Sequence, residues 1–193
     1  MIKKESTHIS TEELMRQNDI AQRIKANNDS EYNNTGKIKY ARIITYGCQQ
    51  NNSDSEKLKG ILKSMGYSYT DDNQKADVIL FNTCCVRENA ELKLYGNIGA
   101  LKNLKASKPG MVTGVCGCMM QQKHAVDMIK RKYKHVDLIF GTHNIYKFPE
   151  LFEKALHEKY TLIDIMDSDG VIVENLPIER DEKHKAWITI MYG

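Results

Sequence analysis

Residues 40–67, YARIITYGCQQNNSDSEKLKGILKSMGY, read as a strand, a break and a helix in that order. Tyr40–Tyr46 is short, apolar and rich in β-branched residues, the composition of a strand covered on both faces. Gly47 and Cys48 interrupt it. Ser53-Asp54-Ser55-Glu56 then offers a capping box, Leu58, Ile61, Leu62 and Met65 recur at helical spacing, and Gly66 closes the helix. A strand that feeds a helix is half of a βαβ unit, the crossover that parallel strands require.

The unit repeats downstream. Asp77–Thr83 (DVILFNT) ends at Cys84 and leads into a helix carrying Leu92, Leu94, Tyr95, Ile98, Leu101 and Leu104, stopped by Pro109-Gly110. Met111–Val115 leads through Cys116, Gly117 and Cys118 to a helix with Ala125, Met128 and Ile129 apolar and the basic run Lys130-Arg131-Lys132 at its end. Val136–Phe140 precedes a helix that starts near Tyr146, has Pro149 in its first turn and carries Leu151, Phe152 and Ala155. Four strands alternating with four helices predict an α/β domain: a parallel sheet of about four strands with helices on both faces, flavodoxin- or Rossmann-like.

This compact domain is expected over residues 39–158. Residues 1–38 are polar and Asn-rich (KANNDSEYNNTGK), yet Ser10 and Glu13 can form a capping box ahead of Leu14, Met15, Ile20, Ala21 and Ile24. The expectation is an extension that is partly helical or disordered: a short, loosely docked helix and a flexible linker. Residues 159–182 contain TLIDIM and GVIVENLPI, two extended segments about an Asp-Ser-Asp-Gly turn, and read as a linker. Residues 183–193 end in AWITIMYG, which reads as the truncated start of a further domain.

Composition bounds the function. With 193 residues and 41% hydrophobic content the chain can bury a core, and a formal charge of +3 permits an anionic partner without demanding one. MIKKESTHIS lacks the apolar stretch of a signal peptide and no apolar run approaches bilayer length, so a cytoplasmic protein with no membrane partner is expected. In that reducing setting five cysteines suit metal binding, catalysis or packing better than disulfides. There is no glycine-rich phosphate loop, no Ser/His/Asp pattern and no carboxylate pair. Oligomeric state is left open by the sequence.

Cys48, Cys84 and Cys118 stand where three look-alike strands give way to a loop or helix. Ligands of parallel sheets bind in the crevice outside the carboxyl ends of the strands. Three thiols there point to a three-thiolate metal or iron–sulfur site with one metal position open, and helix N-termini favour thiolates. The plainer reading, buried packing cysteines, applies better to one such residue than to three. Cys85 and Cys116 read as core packing, as reserve ligands, or as disulfide partners under oxidation. Asn51, Asn52, Asn82 and Thr83 flank the thiols and either bond a ligand or simply make turns. Arg87 either faces the crevice or lies on the surface. His124, His135 and His143 lack metal-ligand spacing, and the cations of Lys130–Lys134 either touch phosphates or answer a helix dipole.

Four stretches carry a resemblance: TYGCQQNNSDSEKLKGIL (45–62), ADVILFNTCCVRENAELKLYGNIGALKNLK (76–105), GVCGCMMQ (114–121) and DLIFGTHNIYKFPEL (137–151). They closely resemble the N-terminal domain of the methylthiotransferases, which are radical S-adenosylmethionine enzymes, over about Tyr40 to Leu156. The resemblance implies that Cys48, Cys84 and Cys118 are the metal and cofactor ligands of an auxiliary 4Fe–4S cluster. Gln50 stands where that family usually has Met. The run Val86-Arg87-Glu88-Asn89-Ala90 resembles the tRNA branch, whose members add a methylthio group to C2 of N6-isopentenyladenosine beside the anticodon. The related branches, acting on threonylcarbamoyladenosine tRNA or on a ribosomal protein, are the alternatives, together with a flavodoxin-like binding or redox module. AWITIMYG resembles the first strand of the radical barrel. The resemblance therefore implies a second 4Fe–4S cluster and an S-adenosylmethionine site in a barrel outside this chain, tRNA as partner of the whole enzyme, and a chain that is inactive alone.

Overall fold

The computed structural model describes residues 7–85, 88–166, 171–173, 175–182 and 184–187. Its centre is a parallel sheet of β1 (Tyr40–Tyr46), β2 (Ser68–Tyr69), β3 (Val78–Thr83), β4 (Val112–Cys116), β5 (Leu138–Phe140) and β6 (Leu162–Asp164). The order across it is β2-β1-β3-β4-β5-β6. Five helices pack around it: α1 (Thr11–Thr35), α2 (Gln49–Ser64), α3 (Glu88–Ser107), α4 (Lys123–Lys132) and α5 (Phe148–His157).

The continuous apolar run of β3 explains why both faces are covered. Val78 and Leu80 enter a core shared with α1, α2 and α5, while Ile79 and Phe81 enter a second core under α3 and α4. All four are fully buried. Alternate residues serving opposite cores is what a period-2 strand does when helices lie on both sides.

The sheet has six strands where about four were expected. β2 is two exposed residues paired beside Tyr40 and Ala41, too short for a periodic signal. β6 falls in TLIDIM, expected as linker. Leu162, Ile163 and Asp164 instead pair with Leu138, Ile139 and Phe140, the α5 crossover returning the chain to the edge of the sheet.

The N-terminal helix is also longer and more firmly seated than its sequence suggested. α1 runs for 25 residues, from Ser10, whose hydroxyl accepts the Glu13 N–H at 3.2 Å, to a left-handed Gly36. Ile20, Ala21 and Ile24 are buried, and Arg16 and Arg23 pair with Glu150 and Glu153 of α5 at 2.5 and 2.9 Å. The Asn-rich second half has weak helix propensity, and ion pairs with a helix over a hundred residues away have no local signature.

Two further segments frame the domain. Thr7 and His8 pair in parallel with Val171 and Ile172, apart from the main sheet. Residues 177–181 lie across α2: the Glu179 N–H donates to the Glu56 carbonyl at 3.0 Å, Lys63 pairs with Glu179 at 2.7 Å, and Lys59 pairs with Asp181. Gly60 permits the crossing, because a Cβ there would collide with the Pro177 backbone. Of the expected AWITIMYG strand, residues 188–193 lie outside the described residues. No described helix is long and apolar enough to cross a membrane.

Candidate functional site

The strand order reverses between β1 and β3: the chain leaves β1 for β2 on one side and returns to β3 on the other. In doubly wound sheets this switch point opens the ligand crevice, at the carboxyl ends of the strands. Cys48 lies two residues past β1, Cys84 one past β3 and Cys118 two past β4. The pairs Tyr46↔Thr83 and Asn82↔Cys116 level the three strand ends. Three thiol-bearing residues thus occupy neighbouring strand ends at the edge where such sheets bind ligands.

Cys48 is the N-cap of α2, which begins at Gln49. The predicted start at Ser53 is therefore late by one turn. The capping contact comes from Asn51, whose Oδ1 accepts the Cys48 N–H at 3.3 Å. Asn51 then reaches across the switch point, its Nδ2 donating to Asn82 Oδ1 at 2.9 Å and to the Thr83 carbonyl at 3.3 Å. Asn82 Nδ2 donates to the Asn51 carbonyl at 2.8 Å and to Ser55 Oγ at 2.9 Å, and Ser55 shares a 2.7 Å hydrogen bond with Thr45. These asparagines are neither turn residues nor free ligand donors: buried, they staple the start of α2 to the ends of β1 and β3.

The other two cysteines both adjoin the Thr83 end of β3. Cys84 is buried and its N–H donates to the Tyr46 carbonyl at 2.9 Å. Cys118 opens a short 3-10 turn, Cys118–Gln121, after Gly117, whose φ of 101° and contact with the Thr83 backbone suit only glycine. Cys118 Sγ accepts the Cys85 N–H at 3.2 Å and sits 3.8 Å from the Thr83 carbonyl oxygen. Burial, reinforced by the neighbouring Cys85 and Cys84 thiols, pushes the Cys118 thiol up to about 12 despite that N–H.

Of the extra cysteines, Cys116 is a core residue on the α1/α2/α5 side, its thiol pushed well up by burial and by Asp54. Cys85 is exposed beside Cys118. Arg87 lies outside the described residues. His124 is exposed, and His135 Nε2 lies 2.8 Å from the Ile98 carbonyl of α3. Lys130, Arg131 and Lys132 occupy the last turn of α4, at the far end of the sheet from the thiols.

One group escaped the sequence reading. Asp54 is 1% exposed. Its Oδ1 accepts from Gln50 at 3.1 Å and Lys57 at 3.2 Å, its Oδ2 has no hydrogen-bond partner among the described residues, and burial raises its carboxyl above the usual range. It lines a cavity of about 20 Å³ with Thr142, His143 and Tyr146, room for a single water. Read as part of a capping box, it gave no sign of facing inward.

Among the described residues no three His, Cys, Asp or Glu side chains are gathered as metal ligands. The donor chemistry nevertheless suits a soft metal or an iron–sulfur group: three thiols at one edge, one of them already receiving a backbone N–H.

Comparison with known proteins defines the class. Residues 40–141, more than half of the chain, match the family described as "Uncharacterized protein family UPF0004". The chain belongs to that family, the N-terminal domain of the methylthiotransferases. It is 52% identical over 190 residues to the tRNA-2-methylthio-N(6)-dimethylallyladenosine synthase of Acetivibrio thermocellus, covering 98% of this chain and 40% of the relative. It is 50% identical to the enzyme of that name in Alkaliphilus oremlandii and 47% identical to that of Clostridioides difficile, in each case over all of this chain and 40% of the relative. The chain therefore spans about 40% of the length of these curated relatives.

Proposed function

We propose that this chain is the auxiliary-cluster domain of a tRNA methylthiotransferase, an enzyme that adds a methylthio group to C2 of N6-isopentenyladenosine next to the anticodon. The observation that carries the reading is the placement of Cys48, Cys84 and Cys118 just past three neighbouring strands at the switch point. The names of the relatives supply the substrate. Cys48, Cys84 and Cys118 are the proposed ligands of a 4Fe–4S cluster, which when bound would offer an open iron to a sulfur species. Holding it requires the three side chains to turn toward one point. The Asn51–Asn82 staple fixes the backbone from which Cys48 and Cys84 project, and Cys85 N–H supports a thiolate at Cys118. The barrel with its second cluster, S-adenosylmethionine and tRNA belongs to the remaining length of such an enzyme, acting in the cytoplasm.

The flavodoxin-like nucleotide module is less well supported. The turn after β1 is Gly47-Cys48 leading directly into α2, and the Asn51 side chain fills the space above Gly47 where a phosphate loop would need open backbone.

The test is Cys84→Ala in the full-length enzyme. The expected result is loss of methylthiolation together with about four irons per chain, the content of one such cluster. Retention of full activity and full iron would remove the assignment.

A further inference from the structure

We propose that Cys85 and Cys118 form an oxidisable dithiol, a modification site whose closed form withholds Cys118 from metal. The proposal deepens the functional reading above, since its consequence for metal rests on Cys118 being a ligand. The geometry is local and specific. Cys118 Sγ accepts the Cys85 N–H at 3.2 Å, which brings the two neighbouring cysteines of different strand ends together. Cys85 is exposed, whereas Cys84 is 4% and Cys116 1% exposed. The exposed cysteine is thus in contact with a proposed ligand.

Two features hold the pair together. Cys118 is fixed from behind by Gly117, which presses against the Thr83 and Asn82 end of β3. Cys85 follows Cys84, whose N–H is tied to Tyr46. Both sulfurs therefore hang from backbone anchored to the same strand end.

The co-reactant is a low-molecular-weight disulfide. The Cys85 sulfur attacks it, forming a mixed disulfide and releasing one small thiol. The Cys118 sulfur then attacks the Cys85 sulfur, forming the Cys85–Cys118 bond and releasing the second small thiol. The two protein thiols are oxidised, the external disulfide is reduced to two thiols, and the two protons leave with them. A thiol reductant reverses both steps. In the closed form one proposed ligand is covalently occupied, so a three-thiolate site cannot assemble.

The experiment compares this chain with its Cys85→Ser variant after anaerobic treatment with oxidised glutathione. The measurements are peptide mapping for the linked residues and iron uptake from ferrous iron and sulfide before and after dithiothreitol. The expected result is a Cys85–Cys118 linked peptide in the parent and none in the variant. Iron uptake by the oxidised parent should drop severalfold and return with dithiothreitol, while the variant takes up iron equally in both states. An unlinked parent, or a link that joins Cys118 to Cys84, overturns the proposal. So does a Cys85→Ser variant that takes up no iron when fully reduced while the parent does, because Cys85 would then be a ligand. If neither reduced protein takes up iron, the cluster reading fails, and the peptide map alone decides whether the dithiol exists.

Discussion

Asn51 and Asn82 hold each other reciprocally: Asn51 Nδ2 donates to Asn82 Oδ1 at 2.9 Å and Asn82 Nδ2 donates back to the Asn51 carbonyl at 2.8 Å. One belongs to the first turn of α2 and the other to the end of β3, so the pair bridges the switch point. Asn82→Ala leaves the buried Asn51 amide and Ser55 hydroxyl short of partners. The expected cost is about 2–4 kcal/mol in urea unfolding, given ~1–3 kcal/mol for each stranded polar group. Asn82→Asp, which keeps the shape but loses the donor, should also be destabilising.

Gly47 tests the same corner sterically. A Cβ at this position would stand 2.8 Å from Asn51 Cβ and closer still to the rest of its side chain. Gly47→Ala should therefore push Asn51 off Cys48 and Asn82. A loss on the order of 2 kcal/mol is expected in denaturant melts. If Gly47→Ala is as stable as the parent, the Asn51 staple is not what fixes this turn.

How far the fold can be read from the chain depends on where its signals lie. β1, β3 and β4 announce themselves because each is an apolar run long enough to serve two cores. β2 is invisible because two exposed residues carry no period. The start of α2 was misplaced because Ser53-Asp54-Ser55-Glu56 has the composition of a capping box, whereas Cys48 is the N-cap, held by Asn51 one turn earlier, and Asp54, Ser55 and Glu56 turn inward to bond Lys57, the sheet and residues 179–181. The thiol edge was legible because strands of one parallel sheet all end at the same edge, whereas their side-by-side order came from the structure. The partners of those thiols were not, because the Cys85–Cys118 and Asn51–Asn82 contacts join segments 31 or more residues apart.

Cys116 should behave unlike its neighbours. It is buried in the α1/α2/α5 core and no metal role is proposed for it. Cys116→Ala is expected to cost about 1 kcal/mol through lost packing and to leave the iron content of the reconstituted chain unchanged. A variant that folds but takes up no iron would place Cys116 in the ligand set.

The α1–α5 contact predicts a pH signature. Lys154, with Arg16 and Gln17, holds the Glu150 carboxyl down to about 2 from an ordinary 4.5, against the burial that opposes it. A depressed folded pKa means that the stabilisation is fully present above about 4.5 and is lost as pH falls toward 2. Arg16 and Lys154 are largely exposed, so after screening the contribution is about 1 kcal/mol. Glu150→Gln should be less stable than the parent at neutral pH, and the gap should close in acid. Equal stability at pH 7 and across that acid range would show that the ion pairs do not secure α1.

The crossing of residues 177–181 over Gly60 gives α2 a mechanical role. One end of this 16-residue helix is capped by Cys48, and its middle is clamped through Glu56, Lys59 and Lys63 to Glu179 and Asp181. A rigid rod transmits displacement along its length. The segment at 177–181 and the first thiol are therefore fastened to one and the same rod, the former along its length and the latter at its N-terminal end.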